Sequence, residues 1–427
     1  MQKILIVSYF FPPCNLTASQ RAFSWAKYLN RFGFYPVILT RRWDEPVLHP
    51  KDACKSTPDE IIHETTNEYE VYYLPYKANL RDRIFIKFGQ QKFSIVRKSL
   101  TVFELIFQHF FTFAIPYQNL FHFAEELLQK DKEIKKVIIS GNPFITFKIG
   151  YTLFNKFGIK WIADYRDAWT TSKIDFTHRS FIFKLLNLLD KIFEKKWVGT
   201  ASFITASSLP IAKSITALTK VNSDGLYNGF IPEDFVGIKF DKYEPFTITY
   251  VGTLYDGQNI EIFCTAFKRL IDSTPGIRAQ LYFPGLAFDR KQEERISTVM
   301  RGYENYFTCT PRMERAKILE IEKRSHLLLH VAWDVHGVIA SKIYEYIASG
   351  TFILVTPSDH SSIRQIVEDS ECGVCTDTAD ETFAFLKKEY DSYLQGKFRA
   401  NDTSGGKVQQ FSRENQAKHL ADILHSI

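Results

Sequence analysis

Cysteine, methionine and uninterrupted apolar runs are what this 427-residue chain has least of. Six cysteines are scattered along it, and only Cys372 and Cys375 stand close together. That spacing excludes a disulfide framework and a four-ligand zinc site. The close pair follows a helical stretch rather than opening one, so it reads as structural and not as a redox motif. A reducing compartment fits. No window of about 18 residues is apolar and free of charge, which excludes a membrane-spanning helix. The opening MQKILIVSYFFPP has too short an apolar run, and no small-residue cleavage site, for a signal peptide. It reads as a strand. There is no DxD-type metal pair and no internal repeat of the solenoid kind.

Aromatic residues, by contrast, are plentiful: 38 Phe and 21 Tyr, more than a core strictly needs. The formal charge of +6 is uneven, with +10 on residues 1–240 and −4 on the remainder. A basic half beside a mildly acidic half suits contact of one domain with an anionic surface or substrate. The length calls for two domains.

Periodicity supplies the elements. KILIVSYF is a continuous apolar run and so a buried strand. SQRAFSWAKYLNRFG has helical spacing and a glycine stop at Gly33, and YPVILT is the next strand. This βαβ unit opens a parallel, doubly wound sheet, which KKVIIS, KWIADY and SFITAS continue. YNGFIPEDF is a turn cluster, and the polar VGIKFDKYEP after it reads as a linker. A second alternating series follows: FTITYVG, a helix, AQLYFPG, ENYFTCTP, a helix, HLLLHVA, a short helix and FILVTP. The expected class is α/β, with two doubly wound Rossmann-like domains facing a cleft, over 1–235 and 245–405. A C-terminal helix, 410–427, is expected to return to the first domain.

The region 80–130 differs. Arg81, Arg83, Lys87, Lys92, Arg97 and Lys98 are interleaved with Phe85, Phe88 and Phe93, and LTVFELIFQHFFTFAIP follows. Basic and aromatic residues on an amphipathic segment fit a membrane surface. They fit equally an ordinary core helix with a solvated basic face. The segment 181–199 has the same character, with Lys184, Lys191, Lys195 and Lys196 opposite an apolar side; there the core reading is favoured.

The chemistry concentrates near SKIYEYIASGTFIL, residues 341–354. Gly337 lies in a loop leaving a strand, and Ser341 stands where a helix begins. The first amides of a helix are unpaired and carry partial positive charge, so a phosphate fits there. Lys342 adds a full charge, and Glu345, three residues on, shares its face. A cation for phosphates and a carboxylate for hydroxyls suit a nucleotide sugar; a surface ion pair is the plainer alternative. In GTLYDGQN, Gly252 and Thr253 end a strand, where backbone N–H groups can cap a phosphate. In DYRDAW, Asp164, Arg166 and Asp167 end another strand, as an ion-pair network or as ligands for acceptor hydroxyls. Asn142 in SGNPF ends a third. Asp334 and His336 lie in the loop before Gly337 and are not taken as catalytic.

Taken together, Gly337, Ser341, Lys342, Glu345-Tyr346 and Gly350, followed by an apolar strand and TPSD, resemble the donor motif of GT-B glycosyltransferases of the family 4 type. The subgroup most similar acts in bacterial surface-polysaccharide synthesis. SYFFPP with ASQRAFSWAKYL, WIADYRDAW, YNGF, YVGTLYDGQN and PRMERAKILE are similar, in order, to further segments of that family. The resemblance implies the GT-B fold. It implies a retaining, metal-independent transfer of a hexosyl or N-acetylhexosaminyl group from a nucleoside diphosphate sugar to a saccharide acceptor. No cofactor or metal is implied. Lys342, Glu345 and Asp167 would be catalytic. Gly252, Thr253, Arg312, Gly337, Ser341, Lys342 and Glu345 would bind the donor. Ala18, Ser19, Arg21, Asn142, Asp164, Arg166 and Asp167 would line the acceptor side.

Two departures stand out. Gly337 occupies the place of the family's first glutamate, and the loop CNLTASQR lacks the usual glycine. Ala18 and Ser19 must therefore approach a phosphate with Cβ atoms present. No Arg or Lys follows Gly252 until Lys268, which leaves Lys342 as the main positive charge on the diphosphate, with Arg312 a helper. The acceptor is expected to be lipid-linked. The site of action is then cytoplasmic, peripheral on the inner face of the plasma membrane and in contact with anionic lipid, with no nucleic acid partner. A sugar-nucleotide epimerase of the same architecture is an alternative, as is a non-catalytic assembly partner with a degenerate donor site.

Overall fold

The computed structural model describes residues 1–172, 181–237, 240–333 and 337–427. The chain divides into two compact units, residues 1–227 with 416–427, and residues 228–415.

In the first unit the strands are β1 Gln2–Ser8, β2 Phe34–Arg41, β3 Ile62–Thr65, β4 Glu70–Leu74, β5 Lys136–Ser140, β6 Lys160–Tyr165, β7 Phe203–Ala206 and β8 Ser223–Gly225. The helices are α1 Ser19–Tyr28, α2 Leu80–Phe88, α3 Ser94–Phe107, α4 Asn119–Lys130, α5 Phe147–Phe157, α6 Phe181–Val198 and α7 Leu209–Thr219. The sheet order is β3-β4-β2-β1-β5-β6-β7-β8, parallel except for the edge pair β3–β4. The central strands are apolar on both faces because helices cover both, as a parallel sheet requires. Leu5, Val7, Val37 and Leu39 face one layer, while Ile4, Ile6 and Ile38 face the other, following the two-residue period of a strand.

The second unit holds β9 Phe246–Thr249, β10 Ala279–Pro284, β11 Phe307–Thr310, β12 Leu327–His330, β13 Phe352–Val355 and β14 Gly373–Cys375. Its helices are α8 Glu261–Asp272, α9 Arg290–Val299, α10 Arg315–Arg324, α11 Lys342–Ser349, α12 Ser362–Asp369, α13 Ala379–Leu394 and the short α14 Gly406–Gln409. All its strands are parallel, in the order β11-β10-β9-β12-β13-β14. Chain order reverses between β9 and β12, and the crevice at such a switch point is where open parallel sheets bind ligands.

The last helix, α15 Arg413–Ser426, contributes Ala417, Leu420 and Leu424 to the Ile4/Ile6 layer beside Trp25 and Tyr28 of α1. The stretch expected as a linker is tied into the second unit. Lys242 Nζ donates to the carbonyls of Lys323 (2.9 Å) and Ser325 (2.6 Å), and Tyr243 N–H to that of Arg324. All six cysteines are free, Cys372 and Cys375 included.

One helical glycine is required by packing. A Cβ on Gly150 of α5 would lie 2.4–2.6 Å from ring atoms of Trp161, which is fully buried on β6. Alanine is ordinarily the better helix former, but here it would force the indole off its seat. Gly150→Ala is expected to lower stability by about 1–3 kcal/mol, read as a shifted denaturant midpoint at unchanged slope.

Candidate functional site

At the switch point of the second unit, β9 ends at Thr249 and the chain passes through Tyr250, Val251, Gly252 and Thr253. Gly252 adopts φ +86°, a left-handed conformation that a side chain would strain. Its N–H donates to Pro284 O at 3.0 Å. Tyr250 Oη donates to Thr253 O (2.9 Å), and Tyr346 Oη accepts from Val251 N–H (2.8 Å). Gln258 Nε2 donates to Val331 O, just past β12, so one side chain ties together the loops on both sides of the switch point. Gly257 has no room for a Cβ, which would meet Trp333 Nε1 at 2.5 Å.

Helix α11 points Lys342 into this loop. Its Nζ donates to Val251 O at 3.1 Å and lies 3.7 Å from the centre of the Tyr250 ring. The helix start thus sets Lys342 against Tyr250 and Val251, next in the chain to Gly252 and Thr253. Lys342 and Glu345 do not pair with each other. Glu345 instead accepts from Arg315 of α10, which also donates to Asp234 at 2.8 and 3.1 Å. Ser341 makes no side-chain cap at the helix start. Gly337 has φ +86°. Arg312 is exposed and stacks on the Phe288 ring at 3.7 Å. Asp334 and His336 lie outside the described residues.

Beneath Lys342 are two groups that sequence reasoning missed. Glu322 of α10 is fully buried, and neither carboxylate oxygen has a hydrogen-bond partner among the described residues. Burial, with Glu345 nearby, holds its carboxyl well above the usual range. His330, at the end of β12, is likewise buried with both ring nitrogens unpartnered, and burial pushes it down to about 3. Burial also pushes Lys342 down to about 7, against an opposing pull from Glu322. One acid in an amphipathic helix and one histidine in an apolar strand carry no signal in sequence. Arg315 stands in PRMERAKILE, where nothing marks it as the partner of Glu345.

In the first unit, Arg21 and Asp164 form an enclosed ion pair, 3% and 0% exposed. Arg21 Nε lies 3.1 and 3.0 Å from the two carboxylate oxygens, and Nη2 lies 2.6 Å from Oδ1. Ser140 Oγ (3.1 Å) and Thr205 Oγ1 (2.8 Å) also donate to Asp164, while Arg21 Nη1 donates to Leu226 O (2.7 Å). Beyond this knot, Arg166 is half-buried. Burial is the main cause that lowers its guanidinium below the ordinary value, with Asp167 opposing and Arg21 adding to it. Asp167 and Asn142 are exposed at neighbouring strand ends, Asn142 at φ +79°. Ala18 and Ser19 are buried, and the Ser19 hydroxyl donates to Leu16 O at 2.8 Å.

No family model and no curated protein sequence matches the chain. Solved structures do. A sucrose-phosphate synthase from Thermosynechococcus elongatus superposes with a TM-score of 0.62 at 13% identity, covering 100% of this chain and 99% of that one. Anabaena HepE in complex with UDP and glucose gives 0.57 at 12%, covering both chains fully. A structure described as a putative UDP-N-acetylglucosamine 2-epimerase from Listeria monocytogenes gives 0.50 at 12%, covering 99% and 96%. The chain has the GT-B fold. Its two Rossmann-like units match the fold class expected from the sequence.

Removing one partner of a buried ion pair strands the other. Arg21→Ala is expected to lower stability by about 3–5 kcal/mol, checked by urea unfolding. A loss below about 1 kcal/mol, the range of an exposed pair, would mean that Asp164 is not enclosed.

Proposed function

We propose that this protein is a glycosyltransferase that moves a sugar from a nucleoside diphosphate sugar to a saccharide acceptor, with retention of anomeric configuration and without a metal. The observation that carries this reading is Lys342. It is an ammonium with one carbonyl and one ring face for company, aimed at the Gly252–Thr253 turn of a parallel-sheet switch point. A cation so poorly answered is stabilised by an anion of the size and charge of a diphosphate. In the reaction, negative charge grows on the leaving diphosphate, and Lys342 with the amides of Thr253 and the α11 start would stabilise it, while the Gly252 N–H, held by Pro284 O, fixes the turn. Glu345, steadied by Arg315, would accept hydrogen bonds from sugar or ribose hydroxyls. Arg312 would lie at the diphosphate or base end. Asp167 and Asn142 would bind acceptor hydroxyls, and Arg21 with Asp164 would hold the loops that carry them. The bound UDP and glucose of HepE, on the same fold, support a nucleotide-sugar donor. A lipid-linked saccharide as acceptor, in surface-polysaccharide synthesis at a membrane, completes the proposal.

The experiment is thermal unfolding against UDP-, GDP-, ADP- and dTDP-sugars, with and without EDTA. A donor at 100 times its Kd should add about 2.7 kcal/mol. The expected result is a shift with one nucleotide, unchanged by EDTA and lost in Lys342→Met. No shift with any nucleotide overturns the reading. Incubation with acceptor separates transfer from epimerisation, and the anomer of the product, read by NMR, tests retention.

Donor binding is also expected to depend on pH. In the free protein Lys342 titrates near 7, and a bound diphosphate raises it. Below pH 7 the ammonium is already formed and affinity is flat. Above pH 7 binding must take up a proton, so Kd rises by up to about tenfold per pH unit until the raised value is passed. Calorimetry in two buffers of different ionisation enthalpy reads this as uptake approaching one proton per donor.

A further inference from the structure

Helices α3 and α6 of the first unit divide their side chains in an unusual way. Every acid on them is turned inward and engaged. Glu104 accepts from Asn79 (3.0 Å) and pairs with Arg81 (2.9 Å). Asp190 meets His109 Nε2 at 2.8 Å. Glu194 is fully buried and accepts from Tyr165 Oη at 2.9 Å and from Thr170. The lysines are on the outside: Lys98 on α3, and Lys184, Lys191 and Lys195 on α6 are all exposed.

Between these cations the outer surface is apolar. No residue of α3 is buried, although Ile95 (79% exposed), Val96 and Phe103 recur on one side of it. On α6, Ile182, Leu185, Leu188 and Ile192 repeat at three- and four-residue spacing, each at least half exposed. Lys184, Lys191 and Lys195 border that stripe. The two helices are joined by rings: Phe103 stacks on Phe107 (4.2 Å), Phe107 on Phe111 (6.3 Å), and Phe110 meets Phe193 of α6 edge-on at 5.4 Å. Leu105 on one side and Phe183 and Leu186 on the other line a cavity of about 260 Å³ that reaches Trp169 of the DYRDAW loop. Among the described residues no helix is long and apolar enough to cross a membrane.

We infer that α3 and α6 form a docking surface for an anionic lipid bilayer, lying in its interface with the apolar stripes in the acyl boundary and the lysines on the headgroups. Charge complementarity selects this occupant. A protein partner matched to the lysines would place carboxylates over a surface whose greater part is aliphatic. A bilayer supplies fixed negative charge at the rim and hydrocarbon at the centre, in that order of depth. Docking makes no use of the donor site, so it stands or falls apart from the glycosyltransferase reading.

Flotation of the full chain, without nucleotide, tests it with vesicles of phosphatidylcholine containing about 30 mol% phosphatidylglycerol, whose negative surface potential attracts clustered lysines. The expected result is co-flotation with these vesicles and at least tenfold less with phosphatidylcholine alone, falling several-fold in high salt. Ile95→Asp with Val96→Asp, and separately Leu188→Asp with Ile192→Asp, should each lower binding at least tenfold while leaving the unfolding midpoint in place, since all four side chains are exposed. Lys184→Glu with Lys191→Glu should lower binding to anionic vesicles only. Absence of flotation, or flotation indifferent to these substitutions, overturns the inference. So does a dimer in sedimentation that the same aspartates dissociate, since the face would then belong to a second copy. A nucleotide-induced thermal shift that persists when flotation fails leaves the donor site standing and removes only the membrane surface.

Discussion

Enclosing the Asp164 carboxylate commits four segments of the first unit to one another. An ionised carboxylate without partners in that position would be prohibitive, so the chain must bring Arg21 from α1, Ser140 from the end of β5 and Thr205 from β7 to meet it. Arg21 in turn reaches Leu226 O, beyond β8. The carboxyl ends of three adjacent strands are thereby fixed in register, and so are the turns that leave them. Asp167 and Asn142 stand on those turns.

The second unit treats its buried charge in the opposite way. Lys342, Glu322 and His330 have almost nothing to satisfy them. Each is consequently shifted toward its neutral form, the acid upward and the two bases downward. A knot like that at Asp164 is finished: a ligand arriving there has no bond to gain. The cluster under α11 is unfinished, and a dianionic group at the Gly252 turn would restore the lysine's charge. Perturbed groups at a switch point are what a binding site whose partner is external would show. The proposed donor site in the second unit rests on that asymmetry more than on any single residue.

Much of this was legible in the sequence, and the part that was not has a common cause. Parallel strands buried on both faces are continuous apolar runs, so KILIV, KVIIS and FILV announce themselves. The α11 motif combines a strand, a helix start and a fixed Lys–Glu spacing, all local. What escaped is long-range pairing. Arg21 and Asp164 are 143 residues apart, and Glu345 finds Arg315 rather than the lysine three positions away. Spacing on one helix shows which side chains share a face, not which neighbour takes them. Glu322 was invisible for the same reason, since an acid at an amphipathic position is normally solvated.

Helical periodicity has the same limit on α3 and α6. It yields a stripe but cannot say whether anything covers it. Read alone, 181–199 favoured an ordinary core helix, yet its Leu185–Leu188–Ile192 side is open. The decisive information lies in the acids. Had Glu104, Asp190 and Glu194 pointed outward, the lysines would have local counter-charges and the surface would need none. Because all three are drawn inward by Arg81, His109 and Tyr165, Lys98, Lys184, Lys191 and Lys195 gain no counter-charge from the acids of their own helices. The same rule then applies at the surface as at Lys342: where the fold withholds the partner of a charge, the partner is to be sought outside the chain.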